Sequence, residues 1–404
     1  MMSGLEGIKK ITELNLKDKR VFIRVDFNVP IENGKIVDDF RIRAALPTIK
    51  YALEQEAKVI IASHMGRPKT DEDKKNMSLE AVAERLRELL ECDVIFVHEP
   101  EGNAPKGLFP ALKRNQLLLL ENLRFSEGEE SNAHEMASQL ASYTDIYIND
   151  AFGASHRAHA SIVGLPSIVK DKGIGFLIEK EITMLDRVLY KTESPFLAVL
   201  GGSKVSDKIG MIENMLSRID TFLIGGAMAY TFLSAKNTPI GNSRVETAKL
   251  SLAKELIERI HGRDKKLLLP IDHVIVQDLK PGAEHKTTTN EIIPEGWMAV
   301  DIGPKTRQLY ANEILRAATL FWNGPMGVYE MKPFDQGTMA IANAFAETNG
   351  TSIIGGGDSA AAIKAAGLED KMDHISTGGG ASLEYLEGSK LPGLEVLRQG
   401  KAKS

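Results

Sequence analysis

Short runs of near-continuous apolarity recur along the chain, each followed by polar residues or by glycines. The first half carries RVFIRVDF, KVIIASH, DVIFVHE, QLLLLEN and DIYINDA; the second carries PFLAVLGG, DTFLIGG, KLLLPID, ATLFWNG and TSIIGGG. Strands apolar on every residue are covered on both faces, which is the pattern of a parallel sheet rather than of a half-solvated antiparallel one. Between them lie amphipathic stretches at 78–91, 206–219, 246–261 and 335–347. These predict helices, with Ser78 and Ser206 as N-caps. Strand and helix alternate throughout, so the expected architecture is doubly wound α/β.

The chain has 404 residues, and a single core seldom grows beyond about 250–300 residues, so two domains are expected. The boundary is expected at the helical segment 179–190. The stretch before it, 163–175, reads as a loop around Pro166 and its glycines, and 191–195 leads into a new strand. The domains are therefore 1–175 and 191–391, joined by a helix at 176–190. There is no short-period repeat and no low-complexity tract. The tail, LPGLEVLRQGKAKS, reads as ending in disorder.

Composition narrows the classes. Apolar residues make up 43% and charged residues 26%, as in ordinary globular proteins. The 50 basic and 55 acidic residues leave a net charge of −5. That gives no support to a bulk nucleic-acid binder, so any positive charge that matters is local. The single cysteine, Cys92, permits no internal disulfide and suits a reducing compartment; beside an apolar strand it reads as filler rather than as a nucleophile. The start, MMSGLEGIKK, shows no apolar core of a signal peptide, and no stretch approaches the ~18 apolar residues of a membrane span. The expectation is a soluble cytoplasmic protein.

Strand ends differ in chemistry between the halves. First-half strands end on Asp26 and Asn28, His64 and Arg67, Glu121 and Arg124, Asn149 and Asp150; second-half strands end on Gly201-Gly202, Gly225-Gly226, Asn323-Gly324, Gly355-Gly356-Gly357 and Gly378-Gly379-Gly380. Open parallel sheets bind ligands outside the carboxyl ends of their strands. Single glycines usually make turns, but clusters at successive strand ends of one half suit phosphates, which need close backbone approach and N–H groups aimed at the anion. GGSKVSDKIG carries Lys204 in its loop and Lys208 in the expected first helical turn, where a cation opposes the helix dipole unless a phosphate is bound. An isolated lysine is more often simply solvated. In IIGGGDSAAAIK, Asp358 can serve as an N-cap or hold Mg²⁺, which prefers carboxylate and phosphate oxygens. No G-x-x-x-x-G-K-S/T sequence is present, which excludes a Walker-type kinase. Gly355 to Ala360 fits G-x-G-x-x-A, a dinucleotide fingerprint, but that reading leaves the arginines of the first half unused.

Those arginines lie in RVDFNVP, DDFRIR, SHMGRP, LENLRF and NDAFGASHRAHAS. Arginine recognises phosphate and carboxylate bidentately, whereas a lone surface ion pair contributes little. His64, His156 and His159, taken singly, read as satisfied structural histidines sooner than as site residues. Several basic strand ends together imply a small ligand with more than one anionic group.

The ordered set RVDFNVP, SHMGRP, LLENLRF, NDAFGASHRAHAS, GGSKVSDKI, IGGAMAYTFL, FWNGPMGVYE, IIGGGDS and STGGGAS resembles the phosphoglycerate kinase family, from about Leu16 to Leu397. Departures are modest: Met65 where the family often has Leu, Gly153-Ala154-Ser155 where it often has Gly-Thr-Ala, and Ala227 where a glycine is common. The resemblance implies two doubly wound, Rossmann-like domains facing each other across a cleft, with the tail after Leu391 returning to the first. It implies a phosphoglycerate site of Asp26, Asn28, Arg41, His64, Arg67, Arg124 and Arg157. The implied Mg-nucleotide site uses Lys208, Glu330, Gly356, Gly357, Asp358 and Ser359, with Gly226 and Asn323 along the nucleoside. Arg41 and Lys204 would flank the moving phosphoryl group, Gly379 and Gly380 would offer it N–H groups, and Asp358 would reach Mg²⁺. The implied partners are ATP or ADP with Mg²⁺ and the phosphoglycerates, acted on by a monomer. A dinucleotide-dependent dehydrogenase and a non-catalytic nucleotide-binding scaffold are the alternatives. The first is separated by NAD titration; the second is opposed by the presence of Arg41, Lys204, Lys208 and Asp358 together.

Overall fold

The computed structural model describes residues 4–399; the start of the chain and the end of the tail, 400–404, lie outside the described residues. The chain divides into two compact units, Met1–Thr183 with Lys390–Ser404, and Met184–Ser389.

The first unit is built on six parallel strands: β1 (Arg20–Val25), β2 (Lys58–Ala62), β3 (Asp93–Val97), β4 (Gln116–Leu120), β5 (Ile146–Asp150) and β6 (Asp171–Ile174). Their spatial order is β3-β4-β2-β1-β5-β6, all pairs parallel. Val21 stands beside Val59 on one side and Ile146 on the other. Val21, Ile23, Val59, Ile61, Leu117, Leu119 and Ile148 share one core, joined by Ile42, Ala45 and Ile49 of helix α1 (Phe40–Glu54). The alternate residues are equally buried on the other face, where Phe22 stacks on Tyr147 at 6.1 Å. Two covered faces are why these strands read as unbroken apolar runs. The order reverses on either side of β1, which gathers the carboxyl ends of β1, β2, β4 and β5 around one switch point.

The stretch read as a loop, 163–175, holds a helical turn at Leu165–Ile168 and the edge strand β6. Asp-Lys-Gly-Ile offers no apolar run; the strand exists through tertiary pairing. Its Ile146↔Asp171 register continues the sheet, and a Cβ at Gly173 would come within 2.5 Å of the Lys9 carbonyl oxygen. Helix α2 spans Phe176–Tyr190. Its first N–H groups are taken by buried side chains: Thr48 Oγ1 accepts from Phe176 N at 2.9 Å, and Asp150 Oδ1 from Leu177 N at 3.0 Å and Ile178 N at 3.2 Å. The tail packs in this unit. Gly393 N donates to the Ser155 carbonyl at 2.9 Å, and Gln399 N to that of Gly7 at 2.8 Å.

The second unit repeats the plan with β7 (Phe196–Leu200), β8 (Thr221–Ile224) and β9 (Lys266–Leu268), and later β13 (Thr319–Asn323), β14 (Thr351–Gly355) and β15 (His374–Ile375). The order is β9-β8-β7-β13-β14-β15, again parallel. Between the two halves of this sheet the chain makes a small antiparallel sheet that the apolar runs did not announce: β10 (His273–Val276), β11 (His285–Thr287) and β12 (Met298–Ile302), in the order β11-β10-β12. Helix α3 (Ile209–Met215) follows β7, α4 (Gln336–Glu347) follows β13, α5 (Gly357–Ala365) follows β14 and α6 (Gly380–Leu386) follows β15.

Neither expected serine cap is the N-cap residue. Helix Glu80–Leu90 is preceded by Leu79, while Ser78 Oγ donates to Glu121 Oε2 at 2.7 Å and accepts from Glu80 N at 3.2 Å. Lys208 precedes α3, and Ser206 Oγ donates to Glu246 Oε1 at 2.8 Å. In both cases a carboxylate from a distant part of the same unit competes for the hydroxyl.

Candidate functional site

At the switch point of the first unit, charged side chains are held by backbone bonds that fix their direction. Asp26, just past β1, is buried; its Oδ2 accepts from Arg41 Nη1 at 2.7 Å and its Oδ1 from Asn28 N at 3.2 Å. Asn28 Oδ1 in turn accepts from Gly66 N at 2.9 Å, tying the β1 loop to the β2 loop. Burial raises the Asp26 carboxyl, but the Arg41 and Arg24 guanidiniums and the Asn28 N–H help hold the group below its ordinary value. His64 lies 4.0 Å from Asp26 through Nε2, and its Nδ1 meets Arg24 Nη2 at 3.2 Å. A guanidinium only donates, so Nδ1 accepts and the proton stands on Nε2. Burial, reinforced by Arg24, Arg124 and Arg157, pushes His64 well below the usual histidine range despite Asp26. It is a neutral donor, not a cation.

Arg124, after β4, is nearly buried. Its Nη1 donates to the Gly66 carbonyl at 2.5 Å and its Nε lies 3.1 Å from Glu130, while Nη2 has no hydrogen-bond partner among the described residues. Burial, then the neighbouring Arg157, lowers its pKa to about 10. Arg157 reaches His156 Nε2 through Nε at 3.3 Å, and Arg67 is exposed on the β2 loop. The structure thus gathers Asp26, Asn28, Arg41, His64, Arg124 and Arg157 around linked loops.

Sequence reasoning passed over what supports them. Arg24 is fully buried in β1, donating to Ser161 Oγ at 2.7 Å and to the Val25 carbonyl, and standing 3.8 Å from buried Glu129. Ser161 Oγ donates to Glu129 Oε1 at 2.6 Å. An arginine inside an apolar strand was the available signal for a buried partner. Nothing in GEE marked Glu129.

In the second unit two hollows open at the strand ends, of about 460 and 270 Å³, both lined by Gly202, Ser203 and Asp358. The smaller is polar. Lys204, Lys208, Asn323, Gly356, Gly357, Ser359, Gly379 and Gly380 line it. Lys208 stands at the N-cap of α3, one residue before the expected first turn and still at the positive end of the helix. Burial lowers its pKa, against Asp207, Asp358 and Glu387. Its Nζ donates to Asn323 Oδ1, while Asn323 Nδ2 is buried with no partner among the described residues. Ser359 Oγ accepts from Gly324 N at 2.7 Å. Asp358 is not an N-cap: Gly356 takes that position at φ 87, and Asp358 falls within the first turn of α5. There it accepts a hydrogen bond from the Tyr329 hydroxyl, whose pKa rises to about 12 through burial and the nearby Asp358 and Glu330 carboxylates.

The larger hollow is mainly apolar, with Tyr230, Leu279, Met298, Val300, Met326 and Val328, and carries Gly226, Arg244 and Glu330. Asn323 lines the polar hollow instead. The floor between the hollows is backbone on backbone. Gly201 N donates to the Asn323 carbonyl at 2.9 Å, Gly202 N to that of Pro325 at 2.9 Å, and Gly226 N to that of Met326 at 3.0 Å. Gly226 has φ 63, and a Cβ there would lie 2.5 Å from Gly202 N. Only glycine satisfies both demands. The apolar wall from β12 was missed because MAVDI is short and ends on a single glycine rather than a cluster.

Among the described residues no group of three or more His, Cys, Asp or Glu could cage a metal. One carboxylate facing a polar hollow is instead the usual protein share of an Mg²⁺ that is otherwise held by phosphates and water, and Asp358 fits that share.

A doubly wound unit with a polar hollow leading to an apolar one, together with a second doubly wound unit bearing an arginine cluster, defines an α/β phosphotransferase. The sequence profile described as phosphoglycerate kinase matches residues 11–389. The phosphoglycerate kinase of Bdellovibrio bacteriovorus is 56% identical over 398 residues, 98% of this chain and 99% of its own length. That of an Anaeromyxobacter species is 52% identical over 393 residues, 97% of this chain and 99% of its own. The solved structure of phosphoglycerate kinase from Coxiella burnetii superposes with a TM-score of 0.86 at 40% identity, covering 96% of this chain and 98% of that one. The Pyrococcus horikoshii structure gives 0.83 at 33% identity, with 96% and 98% coverage. The chain belongs to the phosphoglycerate kinase family.

Proposed function

We propose that the protein reversibly transfers a phosphoryl group from 1,3-bisphosphoglycerate to ADP, giving 3-phosphoglycerate and ATP. The observation that carries this is the pairing of a basic cluster, Arg41, Arg124 and Arg157 around neutral His64, with a lysine- and glycine-lined hollow built on the other unit. A buried guanidinium nitrogen without a partner is costly. Arg124 Nη2 is such a group, and a phosphate or carboxylate oxygen satisfies it. Asp26, Asn28, His64 and Arg67 complete the acid site.

The nucleotide's phosphates lie in the polar hollow against Lys208, Asn323, Gly356, Gly357 and Ser359, with its nucleoside in the larger hollow against Gly226 and Glu330. Asp358 would hold the Mg²⁺ that accompanies the nucleotide, and the ion would neutralise phosphate charge. In the reverse direction the nucleophile is a carboxylate, ionised at neutral pH, so no general base is required; His64 donates a hydrogen bond through Nε2. The protein positions the reactants and stabilises charge on the transferring group, as in phosphoryl transfer generally. Arg41, Lys204 and the N–H groups of Gly379 and Gly380 do this at the moving phosphoryl.

The two sites belong to different units, so transfer requires the units to close on their ligands, with 176–190 as the hinge. Closure aligns the reactants and excludes water. The reading includes action as a cytoplasmic monomer on small molecules, with no nucleic-acid or membrane partner; among the described residues no helix is long and apolar enough to cross a membrane.

A coupled assay of ATP-dependent phosphorylation of 3-phosphoglycerate tests the reading. Activity is expected in the wild type, lost on chelation of Mg²⁺, and severely reduced in Lys204→Ala and Arg41→Ala. A folded wild type without activity overturns it, and NADH binding followed by fluorescence would favour the dehydrogenase reading of the glycine loop.

A further inference from the structure

Arg244 lines the larger hollow, yet among the described residues its guanidinium has no hydrogen bond or ion pair. Its root is fixed. Asn242 N donates to the Trp297 carbonyl at 2.8 Å, and Ser243 Oγ accepts from Ala299 N at 3.0 Å, pinning the segment to the start of β12. The two hollows meet at Gly202, Ser203 and Asp358, and Arg244 borders only the larger one. With phosphates seated in the polar hollow, Arg244 therefore faces the base or ribose end of the nucleotide. Glu330, on the same wall, is an acceptor and suits ribose hydroxyls. A guanidinium has only donors and needs acceptors opposite it. Guanine presents two side by side, O6 and N7, matched to the guanidinium fork, whereas adenine sets an amino donor beside N7.

We propose that Arg244 reads the nucleobase and raises the enzyme's use of guanosine nucleotides relative to adenosine nucleotides. This rests on the nucleotide reading above. A bidentate arginine–guanine contact is worth about 1–3 kcal/mol of discrimination, or roughly five- to 150-fold.

The test measures kcat/KM for GTP and for ATP with 3-phosphoglycerate as acceptor, in wild type, Arg244→Leu and Arg244→Lys. Arg244 is exposed, so both variants are expected to fold. The GTP/ATP ratio is expected to fall about tenfold in Arg244→Leu and by a similar factor in Arg244→Lys, which keeps the charge and loses the fork. A ratio that moves less than twofold in Arg244→Leu, or a parallel fall for both nucleotides, overturns the proposal and assigns Arg244 to ribose or to solvent. A ratio preserved in Arg244→Lys but lost in Arg244→Leu also overturns it, because charge alone would then suffice. Failure of the underlying reading looks different: wild type would phosphorylate 3-phosphoglycerate with neither nucleotide.

Discussion

Arg41 Nη1 donates to Asp26 Oδ2 at 2.7 Å across a boundary between a part-exposed guanidinium and a buried carboxylate. The pair is asymmetric: Arg41 can be lost to solvent, but Asp26 cannot. Arg41→Ala is expected to lower kcat by about 10²–10³, the usual effect of losing one charge-stabilising donor. It also leaves a buried carboxylate without its nearest cation, at a cost of about 1–3 kcal/mol. The double variant Asp26→Asn/Arg41→Ala is then expected to regain thermal stability without regaining turnover. Calorimetry and steady-state kinetics on the three proteins check both halves; a double variant no more stable than Arg41→Ala contradicts the account.

Lys204 and Lys208 line the same hollow but differ in environment. Lys204 is exposed, while Lys208 is largely withdrawn from solvent and bonded to Asn323. Lys204→Ala is expected to reduce kcat by at least ~10² with Tm unchanged. Lys208→Ala is expected to raise KM for the nucleotide and also to lower Tm, because Asn323 Oδ1 loses its donor. Equal effects of the two variants on Tm count against this division.

Two glycines with positive φ make a paired test. At Gly379 (φ 52) a Cβ meets nothing within 4 Å; at Gly226 (φ 63) it lies 2.5 Å from Gly202 N and 2.8 Å from the Pro325 carbonyl oxygen. Gly379→Ala is expected to cost about 1–3 kcal/mol of backbone strain, since φ 52 with ψ −114 lies outside the left-handed helical region. Gly226→Ala adds a collision with main chain that cannot rotate away, and is expected to cost at least about 2–3 kcal/mol and to weaken nucleotide binding. Denaturant unfolding of both variants gives the comparison.

Asp150 supplies a pH dependence of stability. Burial raises its pKa to about 7 from an ordinary value of 3.8. A folded carboxyl that holds its proton more tightly than the unfolded chain stabilises the fold at low pH. That contribution declines as pH rises from about 4 to about 7. A shift of this size corresponds to roughly 4 kcal/mol. Asp150→Asn keeps an oxygen for the Leu177 and Ile178 N–H groups and removes the ionisation. Its stability is expected to lose less between pH 4 and 7 than that of the wild type. Parallel urea midpoints across that range refute the assignment.

Much of the fold was legible because both sheets are parallel and covered on both faces, so apolar runs such as Leu117 to Leu120 and Phe196 to Leu200 mark core strands directly. Elements held by partners rather than by composition were not legible. The edge strand β6 depends on β5 and on the Lys9 backbone, and β11, with His285, Lys286 and Thr287 all exposed, depends on β10. The helix starts shifted where Ser78 and Ser206 bond to Glu121 and Glu246 from remote segments. The charged site residues showed at strand ends. The buried Arg24–Glu129–Ser161 network that backs them depends on contacts between residues more than a hundred positions apart. The closeness of Arg244 to β12 likewise joins segments far apart in the chain.

The floor shared by the two hollows consists of Gly201, Gly202 and Gly226 bonded main chain to main chain, with Gly324 tied to the Ser359 hydroxyl. In genetic terms, its shape has no side chain through which it can drift. Any missense change at Gly201, Gly226 or Gly324 puts a carbon atom within 2.5 Å of a neighbouring strand's loop. The far wall, at positions such as Leu279, Met298 and Arg244, carries no such main-chain constraint, so side chains there can be exchanged without moving the floor.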